Sequence, residues 1–239
     1  MNQSLSGTTV LVIGGAKHLG LAIARRADAA GASVIIGARD LAAARSAATD
    51  LDNGRAVAID VTDEASIAAA AAELGAVDHI VSTAAAHHNV AVRDLDHDAT
   101  VTAFEAKVIG PMLVAKHFAP RMPATGSITL FSGVAAWKPA PGYAVMGITN
   151  GAVAFAVSHL AAELAPVRVN AISPGIVDSG TWDGMPEADR DAFFSGVAEG
   201  IPARRVGAVD DIVDAAQWLL TAGFVSGETI HVEGGARSA

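Results

Sequence analysis

Few residues in this chain have types and spacings that could do chemistry, and the densest group runs from Thr8 to Asp28. That stretch, TTVLVIGGAKHLGLAIARRAD, is an apolar run that breaks at Gly14 and Gly15 and resumes with helical spacing at Leu19, Ile23, Ala24 and Ala27. A strand feeding a helix through a glycine turn aims free backbone N–H groups and the positive end of the helix dipole at one spot, which suits a phosphate. A dinucleotide pyrophosphate is the natural occupant, because a second strand, Ser33 to Gly37, follows about twenty residues on, where the ribose-reading residue of such units belongs. His87 and His88, in AAAHHN, titrate near neutral pH and could exchange a proton with a carbonyl or alcohol; the alternative is a pair of surface-loop histidines. Neither this pair nor the scattered Asp and Glu residues show a recurring ligand spacing, so no metal is expected. With no cysteine, disulfides, thiolate zinc sites and cysteine nucleophiles are removed together.

The elements that must position these residues follow from the apolar pattern. Runs at Val10–Ile13, Val34–Ile36, Ala56–Ile59, His79–Val81, Ser127–Phe131, Val167–Ile172 and Thr229–Val232 read as strands, and alanine-rich helical stretches lie between most of them. Continuous apolar strands bracketed by helices predict a parallel sheet covered on both faces. The expected fold is a single-domain α/β Rossmann-type doubly wound sheet over residues 1–239, whose 51% hydrophobic share can supply one core. No apolar run reaches the roughly 18 residues of a membrane span. The start, MNQSLSG, lacks the charged and apolar regions of a signal peptide, so a cytoplasmic protein is expected. A formal net charge of −9 argues against general affinity for nucleic acid or anionic lipid.

By Asn170 several ordered motifs have accumulated, and the chain resembles the short-chain dehydrogenase/reductase family over essentially its whole length. VRVNAISPG, Val167 to Gly175, is similar to the family's late strand and following loop, and FVSGETIHVEGG, Phe224 to Gly235, to its last strand and closing glycines. Arg205-Val-Gly leading into Asp210, Asp211 and Ile212 resembles the entry to the penultimate helix. The resemblance implies hydride transfer between a nicotinamide cofactor and a small carbonyl/alcohol pair. It implies cofactor contacts at Gly14, Lys17, His18, Leu19, Gly20, Arg39, Asp60, Val61, Ala84, Asn150, Pro174, Gly175 and Ile176, with Ser179 meeting the nicotinamide amide.

NAD-binding units place an acidic residue after the second strand to hold the ribose hydroxyls, whereas a basic residue there can neutralise a 2′-phosphate. Here Ala38 takes the acidic position and Arg39 follows it, while Lys17 matches a position where NADP-preferring relatives often carry a second basic residue. NADP(H) is therefore expected over NAD(H), the alternative being that both are ordinary solvated charges. Asp60 resembles the residue that faces adenine, and also reads as a helix-capping device. His18 stands where family members usually show a glycine, so it either contacts phosphate or crowds the site.

The family's acid/base pattern is a tyrosine, a lysine four residues later that lowers its pKa, a serine on the preceding strand and an asparagine on an earlier helix. A phenol of pKa near 10 is a poor base at neutral pH unless a cation stabilises its phenolate. Four residues after Tyr143 stands Gly147. Counting back from Glu163 in HLAAEL instead puts the lysine position at Asn150, the tyrosine position at Met146 and the serine position at Gly133, and in FEAKVIGP Lys107 stands for the asparagine. Two readings follow. Either Tyr143, Lys107, Ser132 and Asn150 form a relocated acid/base set, with lysine and asparagine exchanged, or the chain keeps only nucleotide binding or a scaffold role.

Val177 to Gly200 interrupts the alternation with Trp182, Met185, Phe193 and Phe194. The resemblance makes it a substrate lid selecting a small apolar molecule; alternatively Phe193 and Phe194 anchor a helix to the core. The helix from about Tyr143 to Leu164 is apolar nearly all round, which implies a partner on its second face, and the resemblance makes that partner another copy in a homodimer or homotetramer.

Overall fold

The computed structural model describes residues 4–239, so residues 1–3 of the MNQSLSG start lie outside the described residues. Seven strands form one parallel sheet in the order β3 (Gly54–Ala58), β2 (Ser33–Ala38), β1 (Thr9–Ile13), β4 (His79–Ser82), β5 (Ser127–Phe131), β6 (Arg168–Pro174) and β9 (Thr229–Val232). Two short strands, β7 (Val177–Asp178) and β8 (Gly207–Ala208), pair separately. The direction of winding reverses between β1 and β4, and a crevice at the carboxyl ends of strands there is where doubly wound sheets bind ligands.

Helices cover both faces. On one side α1 (His18–Ala29), α2 (Leu41–Ala48) and α8 (Val209–Thr221) pack on Val10, Val12, Val34 and Ile36; on the other α3 (Glu64–Leu74), α5 (Gly110–Phe118) and α6 (Ala144–Glu163) pack on Leu11, Ile13, Ile80 and Ile128. Alternation along each strand splits its apolar residues between the two cores, so the strands read as unbroken apolar runs. β4 and β5 are buried at every residue.

Local chemistry fixes several element ends. Asp40, Asp63 and Asp96 sit at the N-caps of α2, α3 and α4 (His97–Phe104), and each accepts from backbone N–H groups of the first turn. In VRVNAISPG, the buried Arg168 donates to the carbonyls of Leu219 and Leu220 at 2.9 and 3.0 Å, closing the end of α8. Asn170 clamps the turn into β9, donating to the Val225 carbonyl and accepting from Glu228 N–H.

One expectation needs correction. α6 spans 20 residues with a mean hydropathy of 1.4 and is long and apolar enough to cross a membrane by length and composition. Counting only unbroken apolar residues missed it, because Thr149, Asn150 and Ser158 interrupt the run without lowering the average far. Here the helix lies against β5 and β6, with Val153 and Val157 buried and Ile148 and Phe155 59% and 71% exposed.

Candidate functional site

The glycine turn packs tightly against the strand ends at the reversal point. Gly14 has φ +81°, and a Cβ there would lie 2.6 Å from Thr83 Oγ1; one on Gly20 would lie 2.2 Å from the Gly14 carbonyl oxygen. Only glycines let α1 start this close to β4. Unlike α2, α3 and α4, α1 has no side-chain cap; its first turn carries no acidic residue, and Lys17 stands at its N-cap. Its positive end is thus left open beside a cation, a chemistry that fits an anionic group.

Around this turn the cofactor candidates separate. Arg39 is exposed at the end of β2 and its guanidinium has no partner among the described residues, while Asp40 beside it is turned onto Ala42 and Ala43 N–H as a cap. Arg39, not Asp40, is therefore the charged group left unpaired at the end of β2 among the described residues. Asp60 Oδ1 accepts from both the N–H and the hydroxyl of Thr62, so it shapes the turn after β3; the cap of α3 is Asp63, three residues on. Val61 is buried under Gly110, Leu19 is half-buried against the first core, and Ala84 adjoins Gly14. At the end of β6 Gly175 N–H is held by the Val232 carbonyl and its Cα packs against Glu233, while Ser179 Oγ lies 3.1 Å from Thr181 Oγ1. The residues present fit a phosphate-bearing nucleotide, with one departure: His18, at φ +50°, carries an imidazole to the Ser179 carbonyl, Nδ1 to O 3.1 Å.

At the ends of β4 and β5 the acid/base candidates come together, with one exception. Lys107 sits in a wide helical turn, Glu105–Ile109, between α4 and α5; such turns push one residue out of register. The lysine is buried, its Nζ lies 3.5 Å from the Ser132 carbonyl, and burial pushes its pKa down to about 8. Ser132 Oγ donates to the Asn150 carbonyl at 2.7 Å, which ties the serine into α6. Asn150 in turn fills the vacant serine position: a Cβ on Gly133 would lie 2.7 Å from its Nδ2. Gly133 has φ 170°, extended backbone open to any residue, so a side chain there would require only that the Asn150 amide shift. Tyr143 is the exception. It precedes α6 as its N-cap residue, 38% exposed, with no side-chain bond to Lys107, Ser132 or Asn150, and Met146 is one turn further in.

The histidine pair splits. His88 Nε2 accepts from Asp96 N–H at 3.1 Å and braces the start of α4, a structural task. His87 makes no hydrogen bond among the described residues and keeps an exposed edge, yet the surrounding protein and the nearby Lys107 ammonium hold its pKa below the ordinary histidine value. Their loop spans the site, from Thr83 and Ala84 against Gly14 to Val90 beside Gly142 at the start of α6. Among the described residues no group of three or more His, Asp or Glu could hold a metal ion.

The 177–200 segment folds on itself. Trp182 stacks obliquely on Phe193, ring centroids 4.8 Å apart, Phe193 meets Phe194 at 5.8 Å, and Trp182 Nε1 donates to the Val177 carbonyl. No residue of α7 (Glu187–Glu199) is buried, so these phenylalanines hold the segment to itself rather than to the core. Behind it Arg205 grips Asp211 with two hydrogen bonds, which holds the Asp211 carboxyl down to about 2 and fixes the entry to α8. Sequence reasoning missed two residues near the site. Gly180 leaves room for the His18 ring, and Trp137, on the β5–α6 connection, meets His231 of β9 edge-on at 4.4 Å. Only the Ser-Gly pair after Asp178 hinted at the first.

The whole chain has relatives with this architecture. A family model described as enoyl-(acyl carrier protein) reductase matches residues 14–237. A sorbitol dehydrogenase of Cereibacter sphaeroides is 31% identical over 97% of this chain and 98% of its own, and a short-chain dehydrogenase/reductase of Acremonium sp is 30% identical over 98% and 96%. Among solved structures, a small-chain dehydrogenase in complex with NADPH superposes with a TM-score of 0.85 at 31% identity, covering 97% of this chain and 99% of that one. A gluconate 5-dehydrogenase from Burkholderia cenocepacia in complex with NADP and tartrate gives 0.90 at 26% identity, covering 100% and 98%. With the parallel sheet, the glycine turn and the strand-end site in agreement, the chain belongs to the short-chain dehydrogenase/reductase family of oxidoreductases.

Proposed function

We propose that this protein reduces a small, apolar carbonyl compound with NADPH, using Lys107 as the proton donor. The observation that carries the proposal is a buried ammonium at the ends of β4 and β5, with its pKa down to about 8 and one long hydrogen bond to Ser132. NADPH, when bound, supplies the hydride. The α1 N-terminus and Lys17 would hold its pyrophosphate and Arg39 its 2′-phosphate, while relatives in complex with NADPH and NADP support the choice of nucleotide.

The chain's own residues do the rest. A lysine of pKa about 8 is mostly protonated at neutral pH, so its Nζ can give a proton to a carbonyl oxygen as negative charge develops there. His87, open to solvent, can take a proton from water on one ring nitrogen as it passes one to that amine from the other, so that it ends neutral again. Ser132 and Asn150 position Lys107 through the Ser132 carbonyl and the bond that ties Ser132 to α6. The aromatic cluster of the 177–200 segment supports an apolar substrate, and the exposed Ile148 and Phe155 of α6 support a homodimer or homotetramer.

A second reading, a nucleotide-binding protein without turnover, is favoured by one observation: the Ser132 hydroxyl is spent on the Asn150 carbonyl, and the Asn150 amide occupies the space beside Gly133. The test is to titrate NADPH and NADH by cofactor fluorescence, then follow NADPH oxidation with a panel of aldehydes and ketones from pH 6 to 10. Expected are NADPH binding weakened about tenfold by Arg39→Ala, the scale of one lost charged contact, and a reduction rate that falls as pH rises through about 8. Binding without turnover at any pH would select the second reading, and no binding of either nucleotide would overturn both.

A further inference from the structure

His18 is the one non-glycine residue of the nucleotide turn in the left-handed region, φ +50°, a conformation that a bulky side chain rarely adopts unless its surroundings hold it there. What holds it lies 161 positions away. Its Nδ1 is 3.1 Å from the Ser179 carbonyl, which can only accept, so Nδ1 carries the proton and donates. Gly180, φ +85°, is shaped to the ring: a Cβ there would lie 2.7 Å from Nδ1 and 3.2 Å from Cε1. The glycine turn and the start of the 177–200 segment thus meet across the mouth of the cleft through one exposed imidazole.

His18 is the first residue of α1, so its bond to Ser179 stands at the same helix N-terminus where the nucleotide reading seats the pyrophosphate. We propose that His18 is a clasp on the nucleotide cleft, closed in the free protein by its bond to Ser179 and broken when the dinucleotide enters. The proposal rests on the reading that this cleft takes NADP(H), and it adds that the chain restricts its own access to that ligand. A closed population lowers apparent affinity by the fraction that is open, and breaking one neutral hydrogen bond sets that fraction at about one in five.

The test compares the full-length protein with His18→Gly, which removes the clasp and relaxes the backbone, and with His18→Asn. Asparagine tolerates the left-handed region, and its Nδ2 occupies the place of the imidazole Nδ1, so it can still donate to Ser179. NADPH association is followed by stopped-flow fluorescence, and amide hydrogen exchange of residues 179–184 is measured without nucleotide. His18→Gly should bind NADPH about fivefold tighter, associate faster and exchange faster at 179–184, while His18→Asn should stay within about twofold of the unaltered protein. Equal affinity and rate in all three proteins would overturn the clasp and leave the nucleotide reading standing. Weaker binding by His18→Gly would overturn it too, making His18 a phosphate ligand instead. Failure of every variant and of the unaltered protein to bind NADPH would overturn the clasp and the nucleotide reading together.

Discussion

Two pairs of nitrogen bases, His87 exposed and the other three buried, lie at opposite ends of the same sheet, and their difference separates structure from chemistry. At the amino ends of the strands, His79 opens β4 and Arg168 opens β6; at the carboxyl ends, His87 follows β4 and Lys107 faces the end of β5. In all four the pKa is pushed down, chiefly by burial. Their partners differ. His79 Nδ1 pairs with Ser127 Oγ at 2.9 Å, and Arg168 donates to two helix-end carbonyls at 2.9 and 3.0 Å. Among the described residues Lys107 has a single hydrogen bond, at 3.5 Å, and His87 has none. A displaced pKa alone therefore marks burial, whereas a displaced pKa on a group with unspent hydrogen-bonding capacity marks a group free to act on something else.

The sharpest way to break this comparison is to remove Lys107. Lys107→Met should lower carbonyl reduction about a thousandfold, within the range general acid catalysis supplies. It should leave stability in urea undiminished, because an apolar chain replaces a desolvated charge with little to pair it. Loss of less than tenfold in turnover would return Lys107 to a structural role. At the other end Arg168→Ala should do the reverse. It strips two charge-assisted bonds from the end of α8 and should cost about 4 kcal/mol in urea unfolding, with turnover per folded molecule unchanged.

A smaller effect tests His79 by pH. The folded protein keeps His79 neutral down to about pH 4, whereas the unfolded chain takes up that proton near 6.5. Lowering the pH through this window loads protons onto the unfolded state alone, so stability should fall, by roughly 2 to 3 kcal/mol over the window. His79→Gln should flatten that stretch of the stability curve. An unchanged acid slope would mean that His79 is already charged in the folded protein, and the contrast with His87 would lose its structural side.

Most of the fold is legible along the chain, and the reason is local. β5 and β9 coincide with the apolar runs Ser127–Phe131 and Thr229–Val232, and α6 falls inside Tyr143–Leu164, because strand and helix periods are written in neighbouring residues. The site is only half legible. Counting along one helix places Met146 and Asn150 one turn apart on α6, since spacing along a helix is rigid. Counting could not show that Asn150 fills the space of Gly133, that Ser132 is spent on α6, or that Tyr143 ends outside the helix as its N-cap residue.

The sequence by itself determined the strand and helix pattern of the parallel sheet, the glycine turn between β1 and α1 and the basic residue after β2, because each depends on side chains within a turn or two of one another. Tertiary structure alone decided which of His87 and His88 is left unbonded, where Lys107 finds its contact, and that His18 reaches Ser179. These outcomes turn on distances of about 3 Å between residues 8, 25 and 161 positions apart, and only the packed chain sets them.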